Sequence, residues 1–101
     1  MRIILFFDIP METSSEKKQY LQFLKKLKGE GFIMMQRSVY IKLSINKSNV
    51  DSTIKILKKA VPKNGDIAVL VVTEKQFASI EYLIGDFKTD IINSEDRIIE
   101  I

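Results

Sequence analysis

The fold of this chain is decided by the stretch Arg2-Ile3-Ile4-Leu5-Phe6-Phe7-Asp8-Ile9-Pro10. Its apolar run predicts a strand over about residues 2–8 that is buried on both faces. The strand ends in Asp8, and Pro10 cannot continue a ladder of backbone hydrogen bonds. A carboxylate at the end of a core strand is costly to bury without a partner. Two explanations fit: Asp8 caps the following turn, or it belongs to a site that handles a metal or a phosphate.

Two helices are predicted downstream of this strand. The first begins at a capping box of Thr13 and Glu16, whose side chains can each accept a hydrogen bond from a backbone N–H, and spans about residues 14–28. The second begins at another capping-box pattern, in residues 48–51, and continues with apolar residues at helical spacing until Pro62.

The remaining segments predict strands and one short helical turn. Residues 66–73 form a second continuous apolar strand. Residues 32–43 are too long for an ordinary strand, so they form either one bent strand or two that break near residues 36–37. Shorter elements are predicted as a helical turn at 73–77, a strand at 80–84 and a strand at about 96–101.

This order of elements predicts a single α+β domain over residues 1–101, a ferredoxin-like βαββαβ sandwich with an extra C-terminal strand. Helices cover only one face of such a sheet, yet the first strand is apolar on both faces. A homodimer packed sheet to sheet would cover the second face. The C-terminal strand, at about residues 96–101, is then expected to dock on the partner protomer.

The composition limits the kinds of catalytic site, metal site and partner that this chain can have. The 101 residues include no cysteine and no histidine, which excludes disulfides, zinc–thiolate sites and every nucleophile that relies on a histidine base. Residues 1–63 carry 13 basic against 5 acidic residues, whereas residues 64–101 carry 3 against 8. A basic front part suggests a polyanion as partner, although lysines on solvated helix faces would give the same count. We see no signal peptide and no apolar run of about 20 residues, so we expect a cytoplasmic protein with no membrane partner.

In a dimer, Asp8 could have a second role. A two-fold axis near the strand ends would bring two Asp8 side chains together, where they would share a proton or hold a cation. One aspartate per chain is too few ligands for a metal, but two per dimer with water molecules could hold Mg²⁺ loosely.

Five short strings resemble one family, the CRISPR-associated adaptation proteins called Cas-two. Three of them are Phe-Asp-Ile at 7–9, Gly-Phe at 31–32 and Gln-Arg-Ser-Val-Tyr at 36–40. The other two, Thr-Glu-Lys-Gln-Phe at 73–77 and Asn-Ser-Glu-Asp-Arg at 93–97, look like members from systems with the single large effector Cas-nine. The resemblance covers essentially the whole chain.

The resemblance implies a ferredoxin-like homodimer whose C-terminal strand crosses to the other protomer. It implies a role in spacer acquisition, in which the dimer bridges two dimers of the integrase subunit Cas-one and holds the prespacer, a double-stranded DNA, on its basic surface. Some members are described as metal-dependent nucleases in which the strand-end acid binds the metal, and that position is Asp8 here. Many members carry an arginine where this chain has Met34, and Arg37 lies at the opposite strand parity if the strand is regular.

Four basic residues are the predicted DNA contacts. Lys17 and Lys18 lie at the start of the first helix, where cations oppose the helix dipole and therefore need another explanation, which DNA phosphate supplies. Arg37 and Lys42 are the other two. Phosphate contacts carry no sequence information, so we expect duplex binding that depends on length and shape and weakens with salt.

Two functions remain open. The first is a scaffold in the integration complex, with the acidic residues 64–101 contacting the integrase. The second is a magnesium-dependent endonuclease, acting on RNA or DNA, with Asp8 as both the metal ligand and the catalytic residue. A toxin-like ribonuclease of the same fold class is a third interpretation.

Overall fold

The computed structural model describes residues 1–87 and consists of one four-stranded antiparallel sheet with three helices. The strands are β1 (Arg2–Asp8), β2 (Ile33–Gln36), β3 (Val39–Leu43) and β4 (Asp66–Val72), and the helices are α1 (Ser14–Gly29), α2 (Lys47–Lys58) and α3 (Glu74–Ala78). The strand order in the sheet is β2-β3-β1-β4. The predicted ferredoxin-like order of elements is confirmed. The predicted strand at about 96–101 lies outside the described residues.

The apolar run of β1 occupies the centre of the sheet, because both of its edges are paired. It runs antiparallel to β3 with Ile4 opposite Ile41, and antiparallel to β4 with Ile4 opposite Leu70. A central strand of this kind must be apolar on both faces. The residues that alternate with Ile4, namely Ile3, Leu5 and Phe7, face the helices and form the core with Phe23, Leu27, Val50 and Leu57.

The long run of residues 32–43 is two strands. The chain turns at Arg37 and Ser38, and Ser38 has a φ of +64°, a left-handed conformation uncommon for a residue with a side chain. No glycine or proline marks this turn in the sequence, which is why the sequence left both possibilities open.

The helix starts illustrate how local hydrogen bonds fix the boundaries. In α1 the predicted capping box is confirmed: the Glu16 N–H donates to Thr13 Oγ1 at 3.0 Å, and the Thr13 N–H donates to Glu16 Oε1 at 3.0 Å. The predicted capping box at 48–51 is wrong. Asn46 is the N-cap of α2 and accepts from the Asn49 N–H at 2.8 Å, so the helix already begins at Lys47.

The predicted helical turn at 73–77 is confirmed as α3, with Thr73 and Gln76 forming a capping box. The predicted strand at 80–84 is wrong. The backbone forms no strand there, and Leu83 and Ile84 are almost fully exposed instead of paired. Apolar content alone suggested this strand, and within residues 1–87 no sheet edge takes it up. Across that same part of the chain, no helix has the length and apolarity that a bilayer crossing requires.

The face of the sheet opposite α1 and α2 is called the open face here; it carries the side chains of Ile4, Phe6, Ile41 and Leu70. Helix α3 lies at one end of it, where the Arg2 guanidinium sits 4.3 Å from the centre of the Phe77 ring. Ile41 is 1% exposed, but Phe6 is 40% exposed and Leu70 50%. The structure therefore leaves an apolar area on this face that the described part of the chain only partly covers.

Candidate functional site

The end of β1 brings two carboxylates together. Asp8, the last residue of β1, is directly opposite Asp66, the first residue of β4, in the antiparallel pairing. Side chains in such a pair have their Cβ atoms about 4.5–5.5 Å apart on one face of the sheet. Both residues are exposed and line a shallow open cleft of about 400 Å³ with Phe6 and Ala68. The pair lies on the same face as Phe6 and Leu70, at the edge of the open face.

Asp66 is a residue of this site that the sequence did not predict. It lies 58 residues after Asp8, and only the register of β1 against β4 makes them neighbours. A signal was nevertheless present, because an acidic residue precedes the second apolar run just as Asp8 follows the first. In an antiparallel pair, the start of one strand lies beside the end of the other.

A capping role for Asp8 finds no support in the hydrogen bonds of the turn. The Glu16 carboxylate caps this turn, because it accepts from the N–H groups of Glu12 and Thr13 at 3.1 and 3.0 Å. Over residues 1–87 the Asp8 carboxylate takes part in no ion pair. Asp8 and Asp66 therefore occupy directly opposed positions, which is unfavourable for two carboxylates unless a cation lies between them.

Gly65 fixes the turn before β4 against the end of β1. It has a φ of +113°, and a Cβ built on it would lie 2.7 Å from the Asp8 carbonyl oxygen and 3.1 Å from the Ile9 Cα. Only glycine allows both this conformation and this close approach. The Asn64-Gly65 turn that the sequence suggested thus holds the two acidic strand ends at their register.

Arg37 lies on the other side of the β1 end. It is the exposed residue at the tip of the β2–β3 hairpin, and the neighbouring Ser38 carbonyl accepts a hydrogen bond from the Phe7 N–H at 3.1 Å. The hairpin tip is thus bonded to the residue that precedes Asp8. Strand parity does not apply to Arg37, because the residue belongs to the turn and not to a strand.

The predicted DNA contacts fall into two places. Lys17 and Lys18 are exposed in α1 and share an outer surface with Leu21, Gln22 and Lys25. Helix α1 follows the β1 end after only five residues, so this surface starts at the same end of the molecule as Asp8 and Arg37.

Lys42 lies apart from the other three. It is opposite Ile3, five residues before Asp8 along β1, which at the rise of a strand is about 17 Å away. It is half-buried, and its Nζ donates to Thr53 Oγ1 at 3.1 Å across the contact between β3 and α2. A structural role for this ammonium group is thereby evident, because Thr53 is buried and its hydroxyl needs a partner.

Tyr40 is the other polar side chain close to the β1 end, and it is buried. Its ring stacks on Phe7 with centroids 5.7 Å apart. Burial, and then the nearby Tyr20, raise the pKa of the Tyr40 hydroxyl above its ordinary value of 10.0. At neutral pH it is therefore a protonated core group and cannot serve as a base.

The carboxylate pair fits one kind of metal binding. Within residues 1–87 no three histidine, cysteine, aspartate or glutamate side chains lie close enough together to hold a metal ion, so an ion at Asp8 and Asp66 would need further ligands of another kind. Magnesium commonly binds through one or two carboxylates, with water and substrate phosphates completing its octahedral shell. Asp8 and Asp66 match that pattern in number, charge and exposure.

Comparison with known proteins identifies the family. The family model for CRISPR associated protein Cas2 matches residues 1–80. The chain belongs to the CRISPR associated protein Cas2 family. Among similar proteins, one from Treponema denticola is 46% identical over 99 residues, covering 98% of each chain. One from Streptococcus mutans serotype c is 50% identical over 99 residues, covering 98% of this chain and 91% of its own. Both are named CRISPR-associated endoribonuclease Cas2.

A solved structure confirms the fold independently. The crystal structure of Streptococcus pyogenes Cas2 at pH 6.5 superposes with a TM-score of 0.63 at 19% sequence identity. The match covers 82% of this chain and 99% of the other. The resemblance seen in the short sequence strings, and the α+β fold expected from it, are therefore confirmed.

Proposed function

We propose that this Cas2 family protein is a scaffold subunit of the CRISPR spacer-acquisition complex. A homodimer bridges two dimers of the integrase subunit Cas-one and holds the prespacer duplex on its basic surface. The observation that carries this proposal is the outer surface of α1, where Lys17, Lys18 and Lys25 are exposed and form no ion pair within residues 1–87. Uncompensated lysines on one face are the electrostatic footprint of a phosphate backbone.

Duplex DNA fits this surface better than a sequence-specific site would. The lysines of α1 present point charges without base-reading groups, and such contacts position a backbone but do not read its sequence. Arg37, at the hairpin tip, extends the basic surface beyond the end of α1. Because this role is played on chromosomal and invading DNA, it places the protein in the cytoplasm.

The open face supports the homodimer. Phe6 and Leu70 lie diagonally across from each other in neighbouring strands on this face, and both keep a large exposed fraction in the single chain. An apolar sheet face rimmed by charged residues such as Arg2 and Asp8 is typical of a protein interface. A second copy packed sheet to sheet would bury it. The acidic residues 64–101, with a net charge of −5, are the surface we assign to the integrase, since they would not compete for DNA.

A second candidate function is favoured by the β1 end. The relatives are named endoribonucleases, and here Asp66 lies beside Asp8 on one side of the β1 end while the Arg37 hairpin tip lies on the other side. Asp8 and Asp66 would hold Mg²⁺, which when bound supplies Lewis-acid stabilisation of a phosphodiester. Asp8 would be the catalytic residue and a ligand of the metal, and Asp66 would be its second carboxylate ligand. The Arg37 guanidinium would neutralise the charge of a phosphate oxygen. The pairing of Asp8 across a dimer remains a prediction.

The experiment that tests the proposal is spacer integration by the cognate integrase, with wild-type protein, with Asp8→Asn and with K17E/K18E/R37E. We expect Asp8→Asn to support integration within about twofold of wild type, because a scaffold needs no metal chemistry at that position. The triple variant is expected to lose both duplex binding and integration, because three phosphate contacts become repulsive.

The control is K47E/K55E/K58E, which makes the same charge change on α2. If this control fails as completely as K17E/K18E/R37E, the site assignment is wrong. If folded Asp8→Asn supports no integration while Mg²⁺-dependent cleavage of RNA or DNA is also lost, the second function replaces the first. If wild-type protein adds nothing to the integrase alone, the scaffold role is refuted.

A further inference from the structure

The turn that precedes β4 contains two neighbouring residues that can react with each other. Asn64 is followed by Gly65, and it is the only one of the four asparagines in the chain that a glycine follows. The backbone nitrogen of the next residue can attack the side-chain carbonyl carbon of an asparagine, and a side chain on that next residue hinders the attack. Glycine has no Cβ, so it hinders the attack least.

Both reacting groups are accessible in the structure. Asn64 and Gly65 are exposed and lie in an irregular turn, outside any helix or strand. Within residues 1–87 the Asn64 side-chain amide forms no hydrogen bond, and the Gly65 N–H donates none. No ladder of backbone hydrogen bonds therefore holds the two groups apart.

Two other asparagines, at the start of α2, are protected in both respects. Asn46 Oδ1 accepts from the Asn49 N–H at 2.8 Å, and Asn49 Oδ1 accepts from the Ser44 hydroxyl. The residues that follow them, Lys47 and Val50, carry side chains, and the Val50 N–H already donates to the Asn46 carbonyl at 3.1 Å. These two asparagines serve as internal controls for Asn64.

We infer that Asn64 is a site of spontaneous deamidation. The Gly65 nitrogen loses its proton to solvent and forms a bond to Asn64 Cγ, and the side-chain nitrogen leaves as ammonia, which closes a succinimide ring. Water then adds to one of the two ring carbonyl carbons and breaks its bond to nitrogen. The product at position 64 is an aspartate or an isoaspartate, and nothing is oxidised or reduced. The attack is fast because both groups belong to one short piece of chain.

The modification changes the charge at the candidate site. Position 64 lies two residues before Asp66, and Gly65 lies against the Asp8 carbonyl. Either product therefore adds a third carboxylate to the sheet edge that carries Asp8 and Asp66. The inference goes beyond the proposed function and does not depend on it.

The two products differ in their effect on the backbone. An isoaspartate lengthens the main chain by one methylene group, whereas an aspartate does not. The turn is held on both sides of Asn64: the Lys63 N–H donates to Gln19 Oε1 at 3.1 Å, and a Cβ built on Gly65 would lie only 2.7 Å from the Asp8 carbonyl oxygen. A longer main chain between these contacts must displace one of them, so we expect only the isoaspartate form to disturb the turn.

The test is incubation of the folded wild-type protein at physiological temperature, at neutral and at mildly alkaline pH, followed by peptide mapping with mass spectrometry. Labelling with an isoaspartyl methyltransferase separates the two products. We expect most of Asn64 to convert in a time in which Asn46 and Asn49 stay intact, and to convert faster at the higher pH, because the attacking nitrogen must be deprotonated. If Asn64 converts no faster than Asn46 and Asn49, the inference is wrong.

The matched variant is Asn64→Gln, which keeps the amide but must close a larger ring. It should keep its charge on an anion-exchange column while the wild-type protein becomes more acidic with time; equal acidification of both proteins would contradict the assignment to Asn64. Gly65→Ala is unsuitable, because its Cβ would collide with the Asp8 carbonyl.

Asn64→Asp reproduces the aspartate product and tests the effect on the backbone. We expect the Lys63 amide resonance of this variant to match that of wild type, and the resonance of the isoaspartate fraction from incubated protein to be shifted. An isoaspartate fraction with an unshifted Lys63 resonance would refute the expected disturbance of the turn.

Discussion

On the helix-covered face of the sheet, Ile3, Leu5 and Phe7 are buried beneath α1 and α2, whereas on the open face Phe6 stays 40% exposed and Leu70 50%. Both faces are built by the same strands, and β1 supplies apolar side chains to each. The difference lies in what covers them. Two amphipathic helices with buried Phe23, Leu27, Val50 and Leu57 close the first face, but within residues 1–87 only α3 and its neighbours reach the second.

Residues 1–87 therefore form one complete core and leave the apolar open face partly exposed. The polar contacts agree with this division. On the helix-covered side, the buried hydroxyl of Thr53 has a partner in Lys42. On the open side, Arg2 binds Glu74 through Nε at 3.0 and 3.1 Å, and Glu74 is half-exposed, so water competes for the pair. Exposed pairs of this kind contribute little to stability, about 0–1 kcal/mol. The Arg2–Glu74 pair therefore adds little to the stability of the open side.

The largest expected effect comes from breaking the closed core. Phe23→Ala should lower the free energy of unfolding by about 3–5 kcal/mol, because a buried ring is lost and a cavity remains. Urea denaturation measures this, and the loss should not depend on protein concentration, since Phe23 is buried between α1 and the sheet and not on the open face where the dimer contact is proposed. Phe6→Ala is the matched variant on the open face. If Phe6→Ala costs as much as Phe23→Ala in a protein that is monomeric, the two faces do not differ as described.

The second effect concerns association. Leu70→Lys puts a charge in the middle of the open face and should convert a dimer into a folded monomer, because a desolvated lysine without a partner opposes the contact. Sedimentation velocity measures the state, and circular dichroism checks the fold. The control is Ile45→Lys, which changes an 87% exposed residue in the loop between β3 and α2 and should remain dimeric. A wild-type protein that sediments as a monomer at micromolar concentration contradicts the homodimer.

The parts of the fold that the sequence predicted are those with a strong local pattern. The strand β1, the start of α1 and the strand β4 follow directly from the apolar run, the Thr13–Glu16 capping box and the second apolar run. The hairpin at Ser38 has no glycine or proline to mark it in the sequence, and residues 80–84 look like a strand although they form none and Leu83 and Ile84 are exposed. Those features depend on neighbours far away in sequence.

The residues of the candidate site also divide into those that a local pattern predicts and those that only the fold brings together. Asp8 was identifiable because a carboxylate at the end of an apolar strand violates a local expectation. Asp66 was not, because only the register of β1 against β4 makes it a neighbour. The bond from Lys42 to Thr53 also needed the packing of β3 on α2, which no spacing in the sequence encodes. The charge and exposure of a single residue can be predicted from the sequence. The residues that it contacts depend on the tertiary structure.

The smallest expected effect tests whether the closed face is as dry as its packing indicates. Burial raises the pKa of Tyr40 above 10.0, so the folded protein holds the phenolic proton more tightly than the unfolded chain does. The stability that this provides is fully present below pH 10 and is lost as the pH rises towards the pKa of the folded state. Tyr40→Phe has no proton to lose. Urea denaturation at pH 8 and at about pH 10.5 should therefore show wild type losing more stability than Tyr40→Phe, by no more than about 1.4 kcal/mol per pH unit. Equal losses for both proteins would mean that water reaches the Tyr40 hydroxyl, and the contrast between a sealed face and an open one would then be one of degree.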